Sequence, residues 1–235
     1  MKRFWAIVLA LALLAVLPAN SLAAGKMTAV QENFYVVNSY SIYGYVFARV
    51  ENTGDRPVGY SAALLEIYNA DGDPLASDTY PTVFGKYLQP GEYAYVKQYE
   101  RVEGIESYTE VDDYSFTISG KSDASHITKR FPCRAEYYPD LQVSKYRTEN
   151  VILATFTNDT DDVVFGLDVV MALLDDEGNI LDIENVNLYS SVGLNPGSSI
   201  TVTAEVSSAM REAFERKGLS PTHVDAYAYA YFDVE

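Results

Sequence analysis

The stretch Ile42-Tyr43-Gly44-Tyr45-Val46-Phe47-Ala48-Arg49-Val50-Glu51-Asn52-Thr53-Gly54 places Ile42, Gly44, Val46, Ala48 and Val50 in one row. Tyr43, Tyr45, Phe47, Arg49 and Glu51 form the other. A period of two is the pattern of a β-strand with one buried face. Asn52-Thr53-Gly54-Asp55-Arg56-Pro57 then reads as a turn, because short polar side chains bond the local backbone and Gly tolerates positive φ. Moving 106 positions on, Val46, Ala48 and Val50 become Ile152, Ala154 and Phe156, and Asn52-Thr53 becomes Asn158-Asp159. Asp71-Gly72 recurs as Glu177-Gly178, and Gln89-Pro90-Gly91 as Asn195-Pro196-Gly197, at the same offset. A unit of about 100 residues is too long for a solenoid repeat and has the size of a small domain. The chain is one module used twice.

The neighbouring segments repeat the pattern. Val58 to Tyr68 and Val164 to Leu174 read as long strands, with Ala63, Leu65 and Ile67 matching Val169, Met171 and Leu173. The acidic residue and Gly that follow mark hairpins leading to Leu75 and Leu181. Leu88-Gln89-Pro90-Gly91 and Leu194-Asn195-Pro196-Gly197 suit type II turns. Last strands are expected at Val111 to Ile118 and Val224 to Val234, where the offset reads as 113, an insertion of about seven residues. A short helix is expected before the second of these. Ser207 or Ser208 caps it, Met210, Ala213 and Phe214 form its stripe, and Gly218 ends it. Short strands with regular turns and no βαβ alternation make each unit an antiparallel sandwich.

Three of these landmarks carry a family likeness. Val50-Glu51-Asn52-Thr53-Gly54, Glu66-Ile67-Tyr68-Asn69-Ala70-Asp71-Gly72 and Leu88-Gln89-Pro90-Gly91-Glu92 resemble the FxLYD-type domain of bacterial exported proteins. In the second copy Ser198 replaces the final acid, and Thr157-Asn158-Asp159-Thr160 has no Gly. The resemblance implies an immunoglobulin-like β-sandwich and supplies no catalytic residues. The expected organisation is all-β, two tandem immunoglobulin-like antiparallel sandwiches with one short helix in the second. Residues 1–23 read as a signal peptide, 30–121 as repeat one, 122–136 as a connector and 137–235 as repeat two.

The leader reading rests on Lys2 and Arg3, an apolar run from Phe4 to Leu17, and Pro18-Ala19-Asn20 before Ser21-Leu22-Ala23-Ala24. That is a secretory signal cut near Ala23-Ala24, with a core too short for a membrane span of about 20 residues. The expectation is an extracytoplasmic protein. A net charge of −16 opposes nucleic acid and anionic membrane surfaces. Cys133 is the single cysteine, so no internal disulfide forms, and only an intermolecular one through Cys133 is open.

Catalytic signals are sparse. His126 and His223 are the only histidines, and neither has a nucleophile elbow beside it. They give no zinc spacing with one cysteine, and no cofactor motif is present. Asp71 and Asp73, with Asn69, and Asp159 with Asp161 are calcium candidates, although hairpin turns use the same residues. Asn158-Asp159-Thr160 is also a glycosylation sequon. Tyr43, Tyr45, Tyr93 and Tyr95 stand where the second copy has Glu149, Val151, Ser199 and Thr201. A tyrosine face absent from the other copy is the candidate surface for an extracellular protein or glycan. On that reading Tyr45→Ala and Tyr95→Ala leave folding intact and abolish capture. The expected role is non-catalytic binding, adhesion or structure. The alternatives are a hydrolase using carboxylates in the inter-repeat cleft and a calcium-stabilised module.

Overall fold

The computed structural model describes residues 25–233, so the signal-peptide reading lies outside the described residues. In chain order the strands are β1 (Met27–Asn38), β2 (Ile42–Asn52), β3 (Val58–Tyr68), β4 (Pro74–Asp78), β5 (Thr82–Phe84), β6 (Tyr87–Leu88), β7 (Tyr93–Val102) and β8 (Asp113–Ser122). The second half contains β9 (His126–Ser144), β10 (Arg147–Thr157), β11 (Val164–Leu174), β12 (Ile180–Leu194), β13 (Ser199–Glu205), helix α1 (Ser208–Glu215) and β14 (His223–Asp233). Every pairing is antiparallel, so the all-β sandwich expectation holds.

In the first half, one sheet has the order β1-β2-β7-β5 and faces a second with the order β4-β3-β6, where β8 also pairs with β3. Between them lie Val46, Ala48, Val50, Leu65, Ile67, Ala94 and Val96, the inward rows read from the sequence. In the second half the order is β12-β11-β14-β9-β10-β13. Of the stretch expected to be a connector, residues 126–136 are strand. The first part of β9 pairs with β14, and from Cys133 onward it pairs with β10. Pro132, which has no N–H to donate, sits at this change of partner.

One strand pairing recurs at the 106-residue offset. Ile42 pairs with Val102 and Tyr45 with Tyr99, and Val151, 106 positions after Tyr45, pairs with Glu205. At the last strands the register corrects the sequence reading. Ile67 faces Tyr114, and its equivalent Leu173 faces Val224. The offset there is therefore 110 rather than 113, and the insertion about four residues rather than seven. The matching dipeptides Val111-Asp112 and Val224-Asp225 are a coincidence of composition. Both repeats also turn helically at this point. The first has a 3-10 turn at Tyr108–Glu110, closed by a Ser107/Glu110 capping box. In the second, Ser207 accepts the Met210 N–H, and Met210, Ala213 and Phe214 are buried, as the stripe predicted.

The strongest shared feature is polar. Asn52 and Asn158 are 1% and 0% exposed. Asn52 Nδ2 donates to the carbonyls of Arg56 (2.7 Å) and Leu88 (3.0 Å), and its Oδ1 accepts the Gly54 N–H at 3.0 Å. Asn158 Nδ2 donates to Asp162 (2.7 Å) and Leu194 (2.8 Å), and its Oδ1 accepts the Thr160 N–H at 3.1 Å. Each asparagine ties the turn after its strand to the strand entering the Pro-Gly turn. A buried amide already donating to two carbonyls is not presented to an enzyme, so the glycosylation sequon at Asn158 is closed in the folded state.

Candidate functional site

The two halves of the chain share a continuous apolar core. Tyr35, Val37, Phe47, Phe84 and Tyr95 of the first pack with Phe131, Ile152, Ile180, Ile183, Tyr227 and Tyr229 of the second. Phe47 lies in the row expected to face outward, yet it is fully buried. Part of the outer face of the β1-β2-β7-β5 sheet is covered by the second half of the chain.

This junction divides the four candidate tyrosines. Tyr93 and Tyr95 both donate their hydroxyls to Asp225 Oδ2 at 2.7 Å. Tyr95 is only 2% exposed and stacks on Tyr227, whose hydroxyl donates to the Phe84 carbonyl at 2.8 Å. Arg130 lies over the rings of Tyr93 and Tyr227. Burial first, and Asp225 second, push the Tyr93 hydroxyl up to about 12 and that of Tyr95 higher still. Both residues join the two halves; Tyr95 is closed to a ligand, and Tyr93, half-buried, has its hydroxyl committed to Asp225. Around them, Tyr35 donates to the Ile180 carbonyl at 2.8 Å, Asn33 accepts the Ile180 N–H at 2.8 Å, and Gln31 donates to the Gly178 carbonyl. The end of α1 adds Lys217 Nζ on the Phe34 carbonyl (2.8 Å) and Arg216 on the Val36 carbonyl.

A charged cluster completes the junction. Lys97 Nζ lies 2.8 Å from Glu184 and 3.8 Å from Asp182, and donates to the Ile183 carbonyl at 2.9 Å. Burial lowers the Lys97 pKa, but Asp182 and Glu184 together hold it above its ordinary value. Asp182 is 1% exposed. Burial outweighs the pull of Lys97, Glu184 adds like charge, and the carboxyl is pushed up to about 7 from 3.8. Folded Asp182 therefore keeps a proton that the unfolded chain releases at lower pH. Its contribution is present at low pH and is lost as pH rises through 3.8 towards about 7. Asp182→Asn fixes the neutral form. Its stability relative to the wild type is expected to grow by about 2–4 kcal/mol between about pH 4 and about pH 8, measured by urea denaturation at each pH. An unchanged difference would mean that Asp182 is charged throughout.

Tyr43 and Tyr45 have a different neighbour, Tyr99. Tyr45 and Tyr99 stack at 4.9 Å, and Tyr43 sets its edge on Tyr99 at 6.2 Å. With Tyr40 they line an open groove of about 820 Å³ between the β1–β2 turn and the start of α1. Asn38 and Ser39 contribute from the turn, and Glu205, Ser207, Ser208 and Glu212 from the helix side. Tyr99 is 50% exposed, and Tyr40 is fully exposed. Tyr40 gives no signal when the copies are compared, because its counterpart 106 positions on is another tyrosine, Tyr146. Tyr40 lies in a turn, and Tyr99 aligns with Glu205, an exposed position in both copies.

The other candidates are dispersed. Among the described residues no group of three His, Cys, Asp or Glu side chains is placed to hold a metal ion. Asp71 and Asp73 give their backbone N–H groups to Asn69 Oδ1 at 3.0 and 2.8 Å, and Asp175 plays the same role for Glu177 and Asn179. Asp159 and Asp161 are exposed in the loop after β10. All four lie in turns held by asparagine or aspartate caps. His126 stacks on Tyr87 at 4.7 Å, with Asp123 3.0 Å from its Nδ1. His223 lines a second groove of about 680 Å³ with Glu136, Asp140, Arg211 and Glu215. Arg211 engages Asp140 and Glu215 at 3.0 Å each, Glu136 pairs with Arg134, and His223 Nδ1 meets Thr222 Oγ1 at 3.0 Å. Cys133 is half-buried against the second core, and burial pushes its thiol up to about 11. A dimer linked through Cys133 has no support.

No helix among the described residues is long and apolar enough to cross a membrane. No family model matches the chain, and no curated protein matches it.

Proposed function

We propose that this chain is an exported, non-catalytic pair of FxLYD-like β-sandwich modules that captures an extracellular partner in the groove lined by Tyr40, Tyr43, Tyr45 and Tyr99. The observation that carries this reading is the division of the tyrosines. Those at the junction spend their hydroxyls on Asp225, whereas Tyr40 and Tyr99 keep their rings accessible. Accessible tyrosines on a rigid sheet offer contact area and a polar tip at low entropic cost. The rigid support comes from the shared core beneath them, which holds both groove walls although one belongs to each repeat. The carboxylates beside His223 are occupied by arginine, which favours binding over hydrolysis for this chain. Capture from native culture medium tests the reading, with wild type and a Tyr40→Ala/Tyr99→Ala variant as parallel baits. A partner retained by the wild type and lost by a folded variant supports it. Equal recovery of every retained partner by both baits removes the groove as the site.

A further inference from the structure

We infer that the tyrosine groove recognises a cationic peptide segment, one presenting lysine or arginine side chains. This rests on the groove being the binding site and adds the chemistry of its occupant. The lining residues are four tyrosines, the carboxylates Glu205 and Glu212, and small or neutral groups, with no lysine or arginine among them. Tyrosine faces carry negative potential and attract ammonium and guanidinium groups, more strongly as the site excludes water. Cations beside the groove are already engaged, Arg101 by Glu103 at 3.4 Å. Lys97 lies 5.9 Å from the Tyr45 ring centre, but its ammonium is bound by Glu184 and the Ile183 carbonyl in the junction. Arg147 approaches Glu205 only to 3.9 Å and makes its close contact with Glu149. Glu205 thus remains a half-exposed carboxylate on the groove wall.

One feature opposes this sign. The first turn of α1 borders the groove, and a helix N-terminus carries roughly half a positive charge. That charge falls off within the first turn, and Ser207 already accepts the Met210 N–H there. Two full carboxylates outweigh it, and the whole chain adds a net −16. An anionic ligand would meet repulsion at both ranges, and a neutral one would gain nothing from Glu205 and Glu212. The volume of about 820 Å³ exceeds the needs of a single small ammonium ion and has room for several peptide residues.

Amide NMR titration of the two-repeat protein with tetralysine, with its fully acetylated counterpart and with a neutral tetrasaccharide tests the inference. Tetralysine should shift resonances around Tyr43, Tyr99, Glu205 and Glu212, and the acetylated peptide should not. Tyr99→Leu keeps an apolar side chain without the ring and should weaken tetralysine binding about fivefold, whereas Tyr99→Phe keeps the ring and should stay within about twofold. Glu205→Gln/Glu212→Gln should weaken it further and flatten its salt dependence. Equal binding of the acetylated peptide, saccharide binding without tetralysine binding, or tetralysine shifts scattered over the acidic surface and indifferent to Tyr99→Leu would each overturn the cationic assignment. If the acetylated peptide or the saccharide still binds in the groove, the binding-site reading survives. If no probe moves the groove resonances, both fall.

Discussion

Asn52→Ala and Asn158→Ala are each expected to destabilise the protein by about 2–5 kcal/mol, the cost of losing three hydrogen bonds from one fully buried amide. Each asparagine gives two N–H bonds to main-chain oxygens 4 and 36 residues further along the chain, so its loss frees two turns at once. The two sites should not respond equally. In the second repeat Thr160 Oγ1 also donates to the Asp162 carbonyl at 3.1 Å, whereas the first repeat has Gly54 at that position. Asn52→Ala should therefore be the costlier. Asn69→Ala is the control, because Asn69 caps an exposed hairpin and its loss should cost about 1 kcal/mol. Urea denaturation followed by far-UV circular dichroism measures all three. In a chain of this length each kcal/mol lowers Tm by about 2–4 °C. If Asn52→Ala costs no more than Asn69→Ala, the asparagine clasps are not what holds the turns.

Most of the fold was legible in the sequence because strands and turns are written locally. The alternation from Ile42 to Glu51 gave β2 and its buried row, and Asn, Gly and Pro-Gly gave the turns. What could not be read was the use of the second face. Phe47 and Tyr45 stand in the outward row of β2, and alternation alone does not distinguish an outer face that meets water from one that meets another sheet. The signal was present in the unlike residues of the two copies. Where the first has Arg49, Tyr93, Tyr95 and Lys97, the second has Thr155, Ser199, Thr201 and Thr203. The latter form an accessible face with hydroxyl pairs such as Thr155–Thr201 at 2.8 Å. Disagreement between the copies therefore marks the junction before it marks a ligand site. The last-strand register was misread for a related reason. A Val-Asp dipeptide is too common to anchor an alignment, and only the pairing partners of Ile67 and Leu173 fix it.

Tyr95→Ala is expected to cost about 3–5 kcal/mol, the range for truncating a fully buried aromatic side chain. This reverses the reading in which Tyr95 belongs to a free binding face and tolerates truncation. Its ring stacks on Tyr227, meets Tyr93 edge-on and closes the seam between two sheets from different repeats. Its hydroxyl is one of the two that neutral tyrosines offer to Asp225. Tyr95→Phe separates these contributions. It keeps the ring and leaves Asp225 with Tyr93 alone, so about 1–2 kcal/mol should be lost. A double-mutant cycle of Tyr95→Phe with Asp225→Asn should then show coupling, since the two substitutions remove the same bond. The junction also predicts how the chain unfolds. With one core running through both repeats, wild type should melt in a single transition, and Tyr95→Ala should separate the repeats into two. Tyr43→Ala, on the groove side of the same sheet, should leave the single transition in place. If instead Tyr95→Ala unfolds like the wild type while partner capture is lost, Tyr95 belongs to the binding face and the seam is held by the Lys97 cluster and the contacts of Tyr35 alone.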